Sequence, residues 1–340
     1  MAASLALALL PDEQARLGRS PYVNAEAYDA YLKGASHYYR LTRADLDTAQ
    51  QHFEFALEKD PDFALGYLGL ARVWAGRGQM NFVPSTEAIP KGKAAVLRAL
   101  QLDETLPEAH STLASLRTWG DWDWTGAESA FERALELDPG RAGTHAPYSH
   151  FLMITGRPEA AMAHIDRALE LDPFNAFFRA FYGVDLMLVR RYDDAVAAFR
   201  DALVTSPGLP FAWHSLSVTL ELAGRLDEAL AARTAYLRAT ANKDGEAALT
   251  AGYAAGGYEE AIRRLAATSA ARALVTGSGN LNVAELYLRA GNEASTFEWL
   301  ERAFQARDQG LPYLAVLPMY DSLRGHPHFQ DMLRRMNLAR

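Results

Sequence analysis

The sequence predicts an all-α fold: a right-handed α–α superhelix of about eight helical hairpins with a C-terminal capping helix. Two observations carry this expectation. One phrase returns as FEFALEKDP (53–61), VLRALQLDE (96–104), FERALELDP (131–139), IDRALELDP (165–173) and FRDALVTSP (199–207), its last residues 43, 35, 34 and 34 positions apart. Between successive copies lies a second apolar stripe at helical spacing, so each period reads as two antiparallel helices that must stack on their neighbours to bury their apolar faces.

In chain order, residues 1–25 are expected as an N-terminal helix or linker, 26–305 as the repeat array and 306–340 as the cap. The apolar run at 2–10 has no basic residues before it and is too short to cross a bilayer, so it is read as a packing helix rather than a secretion signal. The first hairpin is eroded, spanning AYDAYLKGASHYYR and AQQHFEFALEKDP. The longer intervals are insertions, nine residues around RGQMNFVPSTEAIPKGK (77–93) and one in the WGDWDW turn (119–124).

The fifth repeat shows the local logic. Tyr182, Leu186 and Leu188 line its first helix beside the small Gly183. Asp193 and Asp194 suit the positive end of the second helix. Ala195, Phe199 and Ala202 share one face, and Pro207 stops the helix because it lacks an N–H and disfavours helix in the residue before it. The sixth repeat opens with Trp213, Leu216, Ser217 and Leu220, then turns at Gly224 before Ala229. Weaker copies follow in AAGGYEEAIRRLA (254–266) and AELYLRAGNEASTFEWLERAF (284–304). In the tail, Phe329, Met332, Leu333 and Met336 form one stripe after Pro327, suiting a helix that covers the open end of a stack.

These residues resemble the tetratricopeptide repeat, whose pattern runs W-x-x-L-G-x-x-Y, then small–aromatic–small, then Pro, and the resemblance covers residues 26–305. DWDWTGAESAFERALELDP (121–139), the lead-in at 9–34 and the ending at 296–338 are similar to the C-terminal repeat array of bacterial multidomain signalling proteins: winged-helix regulators, adenylate cyclases and serine/threonine kinases. No winged-helix, cyclase or kinase motif accompanies them, so the resemblance implies the sensory or docking portion alone. The repeat register places Trp124 in the core, Trp122 in packing between repeats and Trp119 near the inner face.

Little chemistry is expected. The formal net charge of −8, without a Lys/Arg block, argues against nucleic-acid binding. Absent cysteine excludes disulfides, thiolate metal sites and a cysteine nucleophile. VTGSGNLN (275–282) lacks a dinucleotide or phosphate-loop fingerprint and reads as a loop between hairpins. His145 and His150 fall on different sides of a helix, His326 and His328 suit a helix start, and the paired acids suit helix N-termini. No catalytic residue, metal ligand or cofactor is therefore expected.

A binding surface is expected instead. The resemblance implies that the first helix of each hairpin lines the concave side, where Tyr31, Tyr38, Tyr39, Arg72, Ser115, Trp119, His150, Met153, Phe177, Met187, Phe211, His214 and Glu221 would meet a protein or peptide partner. The expected function is a non-catalytic interaction scaffold or regulatory docking module of a bacterial signalling system. Alternatives are a small-molecule sensor using the aromatic-lined groove and an enzyme on a solenoid scaffold. No membrane insertion is expected; terminal repeats could pair two copies. The expected compartment is the cytoplasm, or the periplasm behind an upstream membrane segment.

Overall fold

The computed structural model describes residues 24–38 and 40–338, and among them there is no β-strand. The expected N-terminal helix at 2–10 and Tyr39 lie outside the described residues. Eight helical hairpins follow one another. The first four are α1 (Ala25–Tyr38) with α2 (Arg43–Lys59), α3 (Ala64–Gln79) with α4 (Ser85–Leu102), α5 (Pro107–Leu116) with α6 (Trp124–Leu137), and α7 (Ala142–Ile154) with α8 (Pro158–Leu171). Next come α9 (Ala176–Leu188) with α10 (Tyr192–Thr205), α11 (Pro210–Leu222) with α12 (Leu226–Ala239), the two arms of α13 (Lys243–Thr276), and α14 (Asn280–Arg289) with α15 (Glu293–Gln305). Two 3₁₀ turns, Leu311–Ala315 and Pro318–Leu323, lead to α16 (Pro327–Arg335).

Local chemistry sets both ends of each hairpin. Asp60, Asp138, Asp172 and Ser206 each precede a proline and take extended or near-extended backbone, which ends α2, α6, α8 and α10. The turn inside each hairpin contains one left-handed residue, at Leu41, Asn81, Trp122, Gly156, Arg190, Gly224, Gly257 and Gly291, so the repeat is written into backbone φ. Five of these turns also carry a six-residue closing hydrogen bond, such as Arg225 N to Leu220 O at 2.8 Å and Asn292 N to Tyr287 O at 2.9 Å. Gly257, at φ 72°, breaks α13 into its two arms. They pack so tightly there that a Cβ on Gly252 would lie 2.6 Å from the Ala261 Cα.

Within hairpins, the small and aromatic positions interlock as expected. A Cβ on Gly183 would lie 2.7 Å from the Phe199 ring, which is fully buried. Phe53 and Phe131 fill the equivalent places in earlier repeats, each worth on the order of 2–3 kcal/mol in apolar burial. The one-residue insertion in WGDWDW is absorbed as a π-turn over Arg117–Asp121, so α5 gains a residue without losing register with α6.

The tail ends in the expected capping helix and also makes contacts beyond the last hairpin. Phe297 of α15 packs on His326 and His328 at the start of α16, but the 3₁₀ segment runs back along the concave side. There Leu311, Leu314, Leu317, Tyr320 and Leu323 share one core with Ile154, Leu186, Met187 and Leu220. The superhelix has curved far enough for its last hairpin to meet its second: Ser278 Oγ donates to Asn81 O at 3.1 Å.

Candidate functional site

The inner face is built from the C-terminal halves of α5, α7, α9, α11 and α14, and the tail lies across it. Its centre is His150 on α7, 1% exposed. His150 Nε2 faces Phe181 O at 3.2 Å and therefore carries the proton, leaving Nδ1 to accept from the Tyr313 hydroxyl at 2.5 Å. Burial lowers the His150 pKa to about 4, so the ring is neutral near pH 7. Asp185 sits 3.5 Å beyond Nε2, and Ser149 Oγ donates to its other oxygen at 2.8 Å. Burial pushes that carboxyl well up.

A second polar cluster joins α11–α14. Glu221 accepts from Arg233 Nη2 at 2.7 Å, and at shorter range from the Tyr258 hydroxyl and Arg289 Nε. Burial opposes its ionisation, but the two guanidinium groups and the Tyr258 hydroxyl overcome that and hold its pKa at about 2. Nearby Glu285 accepts from the Tyr320 hydroxyl at 3.3 Å and lies 4.0 Å from His214 Nε2. Burial raises the Glu285 pKa despite Arg289 and Arg233. Burial and the same two arginines lower that of His214 to about 3. These paired groups fix the approach of α11, α12 and α14 to one another and to the tail.

The structure places much of the expected groove lining in contacts within the chain. His150, Met153 and Met187 are buried, and Trp119, His214 and Glu221 are taken up by tail or C-terminal helices. Ser115 Oγ donates to Ser111 O at 2.9 Å, within its own helix. Tyr31 packs on Phe53 and Phe63, Tyr38 packs beside Leu46 and Val73, and Arg72 stands half-buried on α3, all in the first two hairpins. Phe177 and Phe211 remain half-buried with ring centres 5.5 Å apart, at the N-terminal ends of α9 and α11. Phe174, 85% exposed, lies just before them.

The tryptophans contact both repeat helices and the tail. Trp124 Nε1 donates to Met336 O at 2.8 Å. Trp122 meets Phe304 of α15 in a tilted pair with ring centres 5.0 Å apart, and the Arg307 guanidinium lies 4.0 Å over its ring. Trp119 lies beside the Tyr313 hydroxyl. Sequence reasoning missed Tyr313, Tyr320, Arg233 and Arg289. A signal for the tyrosines was present in LPYLAVLPMY (311–320), which is too apolar for a solvated connector.

Fold and site define a closed helical-repeat protein with buried structural ion pairs. Residues 121–181 and 183–245 each match a tetratricopeptide-repeat profile. The chain therefore carries tetratricopeptide repeats over these residues. No curated protein matches it in sequence. Among solved structures, a monomeric mutant of IFIT1 with Gppp-AAAA is similar at 14% identity and TM-score 0.56, over 86% of this chain and 74% of that one. YrrB, a TPR protein with an unusual peptide-binding site, is 20% identical over 56% of this chain and 93% of its own, with TM-score 0.35. A thermophilic TPR protein of Thermus thermophilus is 21% identical over 60% and 98%, with TM-score 0.44. At these identities the likeness bears on fold alone. Among the described residues, no helix is long and apolar enough to cross a membrane, and no group of three or more His, Cys, Asp or Glu could hold a metal.

Proposed function

We propose that this chain is a non-catalytic docking module of a bacterial signalling system, binding a protein or peptide partner on the part of the concave face that its own tail leaves open. The observation that carries the reading is the Phe174, Phe177 and Phe211 group. It presents aromatic surface at the rim while the deeper inner-face residues are engaged within the chain. Aromatic side chains supply large contact areas and dominate binding energy in interfaces. The signalling assignment rests on the sequence similarity over 9–34, 121–139 and 296–338.

The test is a pull-down with the wild-type chain and with a Phe177→Ala, Phe211→Ala double variant whose fold is first checked by circular dichroism. A protein retained by the wild type and lost by the variant supports docking at this rim. Equal retention moves the interface elsewhere, and no specific retention at low or moderate salt removes the docking reading.

A further inference from the structure

The seam where the second and third hairpins meet the tail forms a cavity of about 220 Å³, lined in part by Ser85, Thr86, Ile89, Asp121 and Arg307. Helix α4 begins at one wall, and its N-cap is Pro84, which offers no side-chain acceptor. The N–H groups of Ser85 and Thr86, first in an 18-residue helix, have no acceptor within it and carry the positive end of its dipole. Ser85 is 5% exposed, and among the described residues its hydroxyl has no hydrogen-bond partner.

Arg307 forms the facing wall. It holds left-handed backbone, φ 54°, with its guanidinium over the Trp122 ring and no carboxylate paired to it among the described residues. Of the acids nearby, Asp121 pairs with Lys93 at 2.5 Å and Glu87 with Lys91 at 2.7 Å, while the buried Asp308, which shares an adjoining recess with Ser85, accepts from Leu281 N at 3.1 Å. The cavity thus holds a free hydroxyl, two free N–H groups and a cation without a counter-charge. Its lining has no unpaired negative charge.

We propose that this seam binds a small molecule bearing an oxyanion, phosphate or carboxylate. The Ser85 hydroxyl, the Ser85 and Thr86 N–H groups and the Arg307 guanidinium hold the anion, and the short organic part lies against Ile89 and Pro90. Helix N-termini with free N–H groups bind such anions readily. A volume of about 220 Å³ is below the usual range for drug-sized ligands, which selects a compact one. The two walls come from opposite ends of the array, so the ligand ties the last hairpin to the second. This binding is independent of partner docking at the Phe177 rim.

The test uses the full chain, titrated calorimetrically and by thermal unfolding with inorganic phosphate and, separately, malonate, at fixed pH and ionic strength. The expected result is saturable binding with a saturable rise in Tm, weakened about tenfold by Ser85→Ala and by Arg307→Gln. Saturation by phosphate alone assigns a phosphate-bearing ligand; saturation by malonate as well admits carboxylates. A Tm that only climbs linearly, alike in all three proteins, is salt exclusion and overturns the proposal. Saturable binding unchanged in both variants overturns it too.

Discussion

Tyr313→Phe tests whether the tail is locked onto the inner face by a specific polar contact. The substitution removes one oxygen and leaves the ring in place, so apolar burial is unchanged. What is lost is the donor to His150 Nδ1, a 2.5 Å contact to a residue only 1% exposed. Because Nε2 is committed to Phe181 O, the ring cannot flip its tautomer to compensate without orphaning that carbonyl. A buried acceptor left without a donor costs about 1–3 kcal/mol, and the low accessibility here argues for the middle of that range. Urea unfolding followed by tryptophan fluorescence should show a lower midpoint with an unchanged slope, since the surface exposed on unfolding does not alter. A loss below about 0.5 kcal/mol, the size of an ordinary surface substitution, would mean that water or Trp119 satisfies His150 equally well and that the lock is not this hydrogen bond.

Three further outcomes follow from the same geometry. Gly224→Ala should cost about 1–2 kcal/mol in chemical denaturation, because φ is 74° there while nothing lies within 4 Å of the added Cβ, making the effect purely conformational. Glu221→Gln should cost about 3–5 kcal/mol, since it strips two buried guanidinium groups of their counter-charge; an unchanged midpoint would show that Glu285 takes over. Stability should also respond to acid. The folded pKa of His150 is depressed to about 4 from an unfolded value near 6.5, so the unfolded chain binds the extra proton and this contribution, complete above pH 6.5, is lost as pH falls toward 4. Asp308 has the opposite sign: burial raises it to about 6, so its contribution is present at low pH and is lost as pH rises from 3.8 through 6. Asp308→Asn should therefore steepen the acid loss measured by urea midpoints between pH 6.5 and 4; a parallel pH profile would contradict the assignment.

The hairpins are legible in the amino-acid order because their causes are local. The Gly183–Phe199 interlock, the prolines that end α2, α6, α8 and α10, and the left-handed turn at Gly224 depend on residues within one 34-residue period or its neighbour. Spacings of three, four and 34 were therefore enough to place them. Even the one-residue insertion beside Trp119 was visible, although its form as a π-turn was not. Which inner-face residues stay free is settled only when the whole chain has folded. The superhelix adds a small rotation at every repeat, and the sum over eight hairpins carries Tyr313 to His150, Met336 to Trp124 and Ser278 to Asn81, pairs separated by 163, 212 and 197 residues. No periodicity encodes such a meeting. It follows from accumulated curvature, which brings the tail onto inner-face residues such as His150 and Met187.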